Sequence, residues 1–221
     1  MILSPGRGFV FIHIPKTGGT ALALALEARA MKDDIMLGDT PKARRRRHKA
    51  QAAGARGRLW KHSTLADIEG LVPDSVLERL FAFTLVRNPW DRAASYYHWL
   101  RAQGFDHPAV RLAASLDFAQ FVAHPQTRAS LRRSPAPSYM RRSDGTVQCS
   151  AYIRIERFEE DAAPLFRHLG FRFDLPVANR SDRARDFRGY YDDATARIVG
   201  EDCAEDIARF GYAFGPAGES G

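Results

Sequence analysis

The sequence predicts an α/β fold in which helices flank a central parallel sheet. Strands are predicted at 9–14 and 81–86, where short apolar runs are rich in aromatic and β-branched residues and are each followed by a turn and a helix. A third strand is predicted at 151–158, where Ile153 and Ile155 continue an alternating pattern. Strands that alternate with helices favour a parallel sheet, whose ligands bind at the carboxyl ends of its strands.

Capping signals and apolar residues at helical spacing predict the helices. Thr64 followed by Asp67 matches a capping box, and Asn88 followed by Pro89 supplies an N-cap and a first-turn proline. The run after the first strand is made of strong helix formers. Helices are expected at 20–31, after 64, and at 89–103, 117–124, 160–169 and 193–210.

Length and composition indicate one domain, residues 1–221, that is long enough to bury a full core. No apolar run approaches the roughly 20 residues that cross a bilayer, and no signal-peptide pattern opens the chain, so we expect a cytoplasmic protein without a transmembrane segment. Cys149 and Cys203 lack the spacing of a disulfide framework or a metal site, which favours reduced, buried thiols. Segments 38–58 and 126–148 lack apolar periodicity, and we expect both to be flexible.

A glycine-rich turn joins the first predicted strand to the first predicted helix. Its sequence is Pro15-Lys16-Thr17-Gly18-Gly19-Thr20. Such a turn directs backbone N–H groups and a helix N-terminus at one spot, which suits a phosphate or sulfate group. Lys16 adds a positive charge, and the hydroxyls of Thr17 and Thr20 are further donors. The alternative is an ordinary tight turn with a solvated lysine.

The order of residues in this turn differs from the Walker pattern, in which the glycines precede Lys-Ser/Thr and the hydroxyl holds Mg²⁺. A strand, an anion-binding turn and a helix in this order nevertheless predict a P-loop-like three-layer sandwich. The turn resembles the 5′-phosphosulfate loop of the sulfotransferases that use 3′-phosphoadenosine 5′-phosphosulfate (PAPS). In that family, an arginine at a strand end and a serine eight residues later bind the 3′-phosphate of the donor. Arg87 and Ser95 match this arrangement, within a stretch from Val86 to Tyr97 that looks like the family element.

The resemblance extends over most of the chain. The blocks at 153–161 and 190–212 are similar to bacterial sulfotransferases of the carbohydrate branch, which includes heparan 2-O-sulfotransferase-like enzymes. Asn179 and Ser181 match a loop that closes over the donor in relatives, with an ordinary polar loop as the alternative. The implied donor site therefore consists of residues 15–20, Arg87, Ser95, Asn179 and Ser181.

The resemblance implies in-line transfer of a sulfuryl group from PAPS to an acceptor hydroxyl, without a metal. Lys16 is expected to donate to the phosphosulfate oxygens as charge develops on the leaving phosphate. His62 is the candidate general base, because imidazole titrates near neutral pH and 2-O-sulfotransferase-like relatives carry a histidine in a comparable region. A helix-capping or core histidine is the alternative, and His13, Glu27 and Asp91 are weaker candidates for the base.

The formal net charge of +7 favours anionic partners. Arginine-rich runs at 44–47, 132–133 and 141–142 indicate an anionic acceptor, for which a glycan is the first choice, although solvated charge runs are equally common. Two other functions remain open. A P-loop-type nucleotide kinase would consume ATP with Mg²⁺, and a basic nucleic-acid-binding protein would use the charge. The run at 44–47 lacks interleaved aromatic residues, so we expect no nucleic acid partner.

Overall fold

The computed structural model describes residues 1–51, 54–176, 178 and 183–215. It is an α/β structure with a five-stranded mixed sheet of order β3-β1-β2-β4-β5. The strands are β1 (Ile2–Ser4), β2 (Phe9–Ile12), β3 (Ile35–Met36), β4 (Phe81–Val86) and β5 (Ala151–Arg154). β2, β4 and β5 run parallel, whereas β1 pairs antiparallel with both β2 and β3.

The three predicted strands are parallel, as expected, but the sheet as a whole is mixed because β1 and β3, which were not predicted, add antiparallel pairs. A single 3-10 turn, Pro5–Arg7, reverses the chain between β1 and β2, and Gly8 ends that turn with φ of 65°. A left-handed residue at this point suits glycine, which lacks the Cβ that makes positive φ costly. β1 and β3 have three and two residues, so neither shows a periodic pattern in the sequence. The three-layer, P-loop-like arrangement stays a prediction.

The α-helices alternate with turns and loops along the rest of the described chain. They are α1 (Gly19–Ala28), α2 (Pro41–Gln51), α3 (Asp74–Leu77), α4 (Pro89–Arg101), α5 (Pro108–Ser115), α6 (Phe118–Ala123), α7 (Pro125–Arg132), α8 (Ala136–Tyr139), α9 (Phe158–Asp161), α10 (Ala163–Leu169), α11 (Asp193–Asp202) and α12 (Ala204–Phe210). Further 3-10 turns lie at Ile155–Arg157 and Phe187–Tyr190. Within the described part of the chain, every helix is too short or too polar to cross a bilayer.

The chain groups into two compact units. The first unit comprises the described residues of 1–86 and 136–178, with the whole sheet and helices α1–α3 and α8–α10. The second unit comprises the described residues of 87–135 and 183–215, with helices α4–α7, α11 and α12. The single domain over 1–221 stays a prediction.

Alternation along the strands builds the core of the first unit. Phe9 and Phe11 of β2 join an apolar cluster with α1, α9 and α10. Val10 and Ile12, which point to the opposite face as successive strand residues do, join a second cluster that includes Leu65. Each face of the sheet is thus covered, and the carboxyl end of β2 carries the glycine-rich turn.

Helix α4 is the centre of the second unit. Asn88 caps it by accepting hydrogen bonds from Trp90 N and Asp91 N, and Pro89 occupies its first turn, as predicted. Its buried face packs with residues of α5, α6 and α11. Trp90 Nε1 donates to the Ala196 carbonyl (2.8 Å), and Tyr191 Oη donates to the Trp90 carbonyl (2.7 Å).

The helix predicted after Thr64 is absent from the described chain. Thr64 N donates to Asp67 Oδ2 (2.8 Å) and Asp67 N to Thr64 Oγ1 (3.2 Å), as in a capping box, but 65–70 is a series of turns. Backbone groups of this segment are used elsewhere, because Leu65 N donates to the Tyr139 carbonyl (2.8 Å) and the Asp67 carbonyl accepts from Gly57 N (3.0 Å). An N-cap signal cannot reveal such distant partners.

Three other predictions need adjustment. The third strand ends at Arg154, because residues 155–157 turn into a 3-10 helix. Helix 160–169 is replaced by α9 and α10, with Pro164 in the first turn of α10, and helix 193–210 breaks at Cys203. Both cysteines are free thiols, half-buried rather than fully buried, and burial raises the pKa of Cys203 to about 12.

Both segments predicted to be flexible contain helices. Segment 38–58 holds α2, and segment 126–148 holds most of α7, all of α8 and an antiparallel bridge between Arg141 and Val147. α2 and α7 are mostly polar and α8 has only four residues, so none of them shows the apolar period that marks a helix in sequence. The flexibility of the two segments stays a prediction.

Candidate active site

The glycine-rich turn links β2 to α1 in an unusual backbone conformation. Lys16 has φ of 66° and Gly18 has φ of 84°, so a residue with a side chain occupies the left-handed region. Such strain persists only where the surroundings enforce it, and it is common at functional sites. A Cβ atom on Gly18 would lie 2.1 Å from Ile155 Cδ1, and one on Gly19 would lie 2.1 Å from His13 Cδ2. Close packing on both sides therefore requires the two glycines.

The start of α1 is electrostatically suited to a negative charge. Gly18 is its N-cap residue and provides no side-chain cap, and the first turn contains no acidic residue. The first N–H groups of a helix need partners, and they carry the positive end of the helix dipole. A phosphate or sulfate group fits these donors.

The side chain of Thr17 stabilises the turn through a hydrogen bond within it. Its side chain is buried at 1% exposure, and its Oγ1 donates to the Ile14 carbonyl at 2.9 Å. That hydroxyl proton is thus used within the turn, and a ligand would have to compete with the Ile14 carbonyl for it. Thr20 is half-buried and lines a cavity beside the turn.

His13 and His62 form a pair next to the turn. Their ring centroids lie 4.6 Å apart in an edge-to-face arrangement, and His62 Nδ1 is 2.7 Å from the His13 carbonyl oxygen. A carbonyl oxygen only accepts, so Nδ1 of His62 carries the proton and donates it. Nε2 of His62 is then the nitrogen with a free lone pair.

Burial lowers the pKa of His62 to about 4, with the hydrogen bond to His13 opposing this shift and the charge of Lys61 adding to it. Burial also lowers the pKa of His13 well below its ordinary value, and nearby cationic groups lower it further. Both imidazoles are neutral at physiological pH. His62 therefore has the protonation state that a proton acceptor needs, but its pKa lies below the near-neutral value on which its choice from the sequence rested.

The alternative candidates for the base are engaged elsewhere. Glu27 lies in the last turns of α1 and accepts a hydrogen bond from Lys42 N (2.6 Å), which holds the start of α2. Asp91 Oδ2 accepts from Arg87 Nη2 at 2.6 Å, and Asp91 Oδ1 accepts from Arg183 Nη2. Both carboxylate oxygens of Asp91 therefore already accept hydrogen bonds from guanidinium groups.

The proposed 3′-phosphate residues lie in the second unit. Arg87 follows β4 and Ser95 is buried in α4. The guanidinium of Arg87 is 18% exposed and Asp91 holds it in place, and Arg183 joins the same carboxylate with 8% exposure. Two guanidinium groups on one carboxylate leave a net positive charge, which suits a phosphate. Asn179 and Ser181 lie outside the described residues.

The sequence reasoning missed Arg183, and it missed Asp39 and Trp60 near His62. Asp39 Oδ2 accepts from Lys61 Nζ at 2.7 Å, and this hydrogen bond lowers the pKa of Asp39. The ring of Trp60 lies 5.0 Å from that of His62. Arg183 is one of many arginines and has no motif of its own, whereas the aromatic Trp60 two residues before His62 was a visible signal.

The comparison with protein-family models decides the class of protein to which this chain belongs. The model of the sulfotransferase family matches residues 1–197, which is most of the chain. The chain belongs to the sulfotransferase family. As a sulfotransferase it is an enzyme that transfers a sulfuryl group, and this supports neither the nucleotide kinase nor the nucleic-acid-binding protein. No curated protein and no solved structure matches the chain.

Proposed function

We propose that this sulfotransferase moves a sulfuryl group from PAPS to an acceptor hydroxyl on a carbohydrate by in-line displacement. The observation that carries the proposal is the turn at 15–20, where a left-handed Lys16 precedes the uncapped first turn of α1. Anions bind readily at such helix N-termini. We further propose the heparan 2-O-sulfotransferase-like branch, a bacterial source and a cytoplasmic location, each of which rests on the sequence.

In this proposal the donor is held by two groups of residues. Bound PAPS supplies a sulfuryl group on a phosphate leaving group. Residues 15–20 hold the 5′-phosphosulfate through their N–H groups, while Arg87 and Ser95 hold the 3′-phosphate. Arg183 adds a second cation beside Arg87, because both contact Asp91. Asn179 and Ser181 complete the site.

Lys16 is the catalytic cation. Its ammonium group donates to the oxygens of the phosphosulfate, where negative charge grows as the bond from sulfur to the leaving phosphate oxygen breaks. Fixed donors that are already oriented toward developing charge stabilise the transition state without reorganisation. The N–H groups of residues 17–20 share this charge, and no metal takes part.

His62 is the general base. Nδ1–H stays bonded to the His13 carbonyl, which orients the ring, and Nε2 takes the proton of the acceptor hydroxyl as its oxygen bonds to sulfur. The lowered pKa keeps Nε2 available over the whole physiological range. The acceptor is a hydroxyl-bearing glycan. Arg44 and Arg47 line cavities that Lys61 also lines, and their charge favours a negatively charged acceptor.

Replacing Lys16 tests this assignment. Lys16→Ala should lower kcat on the order of 100-fold, because it removes one transition-state donor. Lys32→Ala, at an exposed lysine, is the matched control and should keep wild-type kcat. Transfer of labelled sulfate from PAPS is the readout, with urea denaturation to show that both variants remain folded. Near-wild-type turnover in Lys16→Ala would refute the role of Lys16.

His62→Ala tests the base with the same assay. At saturating PAPS it should lose most acceptor sulfation, and wild-type activity should be constant from pH 8 to about 5 and fall as pH approaches the His62 pKa of about 4. Full sulfation by His62→Ala would assign the base elsewhere.

A further inference from the structure

The segment that follows α12, residues 211–215, folds back onto the second unit, and we call it the strap. Gly211 ends α12 with φ of 66°, in the left-handed region that glycine reaches without strain. Gly211 N and Tyr212 N both donate to the Ile207 carbonyl, the latter at 3.2 Å. The chain thereby reverses after the helix, and the strap reaches the start of α4.

The strap is fixed to the start of α4. Asn88 Nδ2 donates to the Ala213 carbonyl at 3.1 Å, while Oδ1 of the same side chain accepts from Trp90 N at 3.1 Å. The ring of Phe214 lies edge-to-face with that of Trp90, with centroids 5.6 Å apart. Aromatic rings favour this arrangement because the positive edge of one meets the negative face of the other. The residue that follows Arg87 therefore both caps α4 and holds the strap.

Phe214 also holds the segment at 183–191. Its half-buried ring makes two further edge-to-face contacts, with Phe187 at 6.0 Å and with Tyr191 at 5.4 Å between centroids. Phe187 begins the 3-10 turn Phe187–Tyr190, and Tyr191 follows that turn directly. One phenyl ring thus joins this turn to the start of α4.

The same turn fixes the backbone beside Arg183. Ala184 N donates to Tyr190 Oη at 2.7 Å, which ties the neighbour of Arg183 to the turn that Phe214 contacts. At its other end, the guanidinium of Arg183 donates to Asp91 Oδ1. An arginine side chain loses much conformational freedom when it binds a ligand, and a backbone and guanidinium that are already held reduce this cost.

We infer that Phe214 is a positioning residue for the 3′-phosphate site. By holding the turn 187–190 against the start of α4, it keeps Arg183 beside Arg87 before the donor binds. The inference rests on the proposed function, in which these two arginines bind the 3′-phosphate. A phenyl ring offers a phosphate no hydrogen bond, so the contribution of Phe214 goes through Arg183.

Two nucleotides that differ only in the 3′-phosphate test the inference. 3′-Phosphoadenosine 5′-phosphate and adenosine 5′-phosphate are titrated calorimetrically into the full chain. Wild type should bind the first about 100-fold more tightly, because the 3′-phosphate adds charged hydrogen bonds. Phe214→Ala should weaken 3′-phosphoadenosine 5′-phosphate about tenfold and leave adenosine 5′-phosphate unchanged, because only the 3′-phosphate contacts Arg183. General damage to the structure would weaken both nucleotides.

Three further variants sharpen the result. Phe105→Ala removes an exposed phenyl ring of the same unit, which contacts Trp99 and His107, and it should change neither affinity. Phe214→Tyr keeps the aromatic ring and should retain the wild-type preference. Arg183→Ala combined with Phe214→Ala should bind 3′-phosphoadenosine 5′-phosphate no more weakly than Arg183→Ala alone, because residues that act through one contact are not additive.

The outcomes separate this inference from the function on which it rests. An unchanged preference in Phe214→Ala, an equal loss in Phe105→Ala, or additive losses in the double variant would overturn the inference and leave the donor site intact. A wild-type protein that binds the two nucleotides equally would contradict the proposed 3′-phosphate site, and the inference with it.

Discussion

Two arginine-rich segments of the first unit look alike in sequence and are held in different ways. In the run at 141–142, Arg142 is 10% exposed, and its guanidinium contacts Glu69 (3.1 Å), Glu78 (3.3 Å) and Asp74 (3.7 Å). In the run at 44–47, Arg44 and Arg47 are exposed and line cavities. The difference shows that the position of carboxylates, rather than the number of arginines, decides which guanidinium groups are held in ion pairs.

Glu69 is the buried carboxylate that holds Arg142 in the run at 141–142. Its side chain is 1% exposed and binds Arg142, Arg56 and both the N–H and the hydroxyl of Ser143. Burial raises the pKa of this carboxyl group, but hydrogen bonds from Ser143 and Arg142 outweigh burial and lower it to about 2. Glu69 thereby anchors parts of both segments that the sequence predicts to be flexible.

The largest expected effect is the loss of stability on replacing Glu69. Glu69→Ala should lower the free energy of unfolding by about 3 kcal/mol or more, because it leaves Arg142 buried without its main partner. Arg47→Ala should change it by less than about 0.5 kcal/mol, as is usual for exposed positions. Urea denaturation at pH 7 measures both. Equal losses in the two variants would remove the distinction between the segments.

Lowering the pH should also weaken the Glu69 network, with a smaller effect on the free energy of unfolding than the Glu69→Ala substitution. Because the folded pKa is about 2, below the ordinary value of 4.5, this contribution to stability is present above pH 4.5 and is lost as pH falls toward 2. Between pH 7 and pH 3 the loss from this group should be about 2 kcal/mol. Glu69→Gln cannot titrate there, so its unfolding free energy should depend less on pH; an identical pH dependence in wild type would contradict the lowered pKa.

The smallest effect is expected at the neighbour of Arg142. Arg141 is exposed and donates to the Gly145 carbonyl at 3.2 Å, within its own turn. Arg141→Ala should therefore cost less than about 0.5 kcal/mol, although the two arginines are adjacent in sequence. The same urea titration checks it. A loss comparable to that of Glu69→Ala would mean that the network extends beyond Arg142.

Local patterns predicted much of the fold. β2, β4 and the start of β5 follow from apolar runs, and the cap at Asn88 follows from the pair Asn-Pro. What the sequence did not reveal depends on distant partners. β1 and β3 exist through pairing across the sheet, and the turns after Thr64 replace a helix because the Tyr139 carbonyl and Gly57 N take their backbone groups.

The candidate site likewise has some features that the sequence predicted and others that it did not. The turn at 15–20 and the pair Arg87 and Ser95 are sequence motifs, so their positions were predictable. The left-handed Lys16, the tautomer of His62 and the sharing of Asp91 between Arg87 and Arg183 are consequences of packing and could not be read from the motifs. These contacts give the proposed roles a physical basis.

The central claim is that the turn at 15–20 belongs to a PAPS site. Thermal unfolding with 3′-phosphoadenosine 5′-phosphate, compared with ATP and Mg²⁺, tests it most directly, because a ligand that binds the folded state must raise the Tm. We predict a concentration-dependent rise in Tm with 3′-phosphoadenosine 5′-phosphate that is greatly reduced in Lys16→Ala and Arg87→Ala, and a smaller rise with ATP. A rise with ATP and Mg²⁺ but none with 3′-phosphoadenosine 5′-phosphate would contradict the claim.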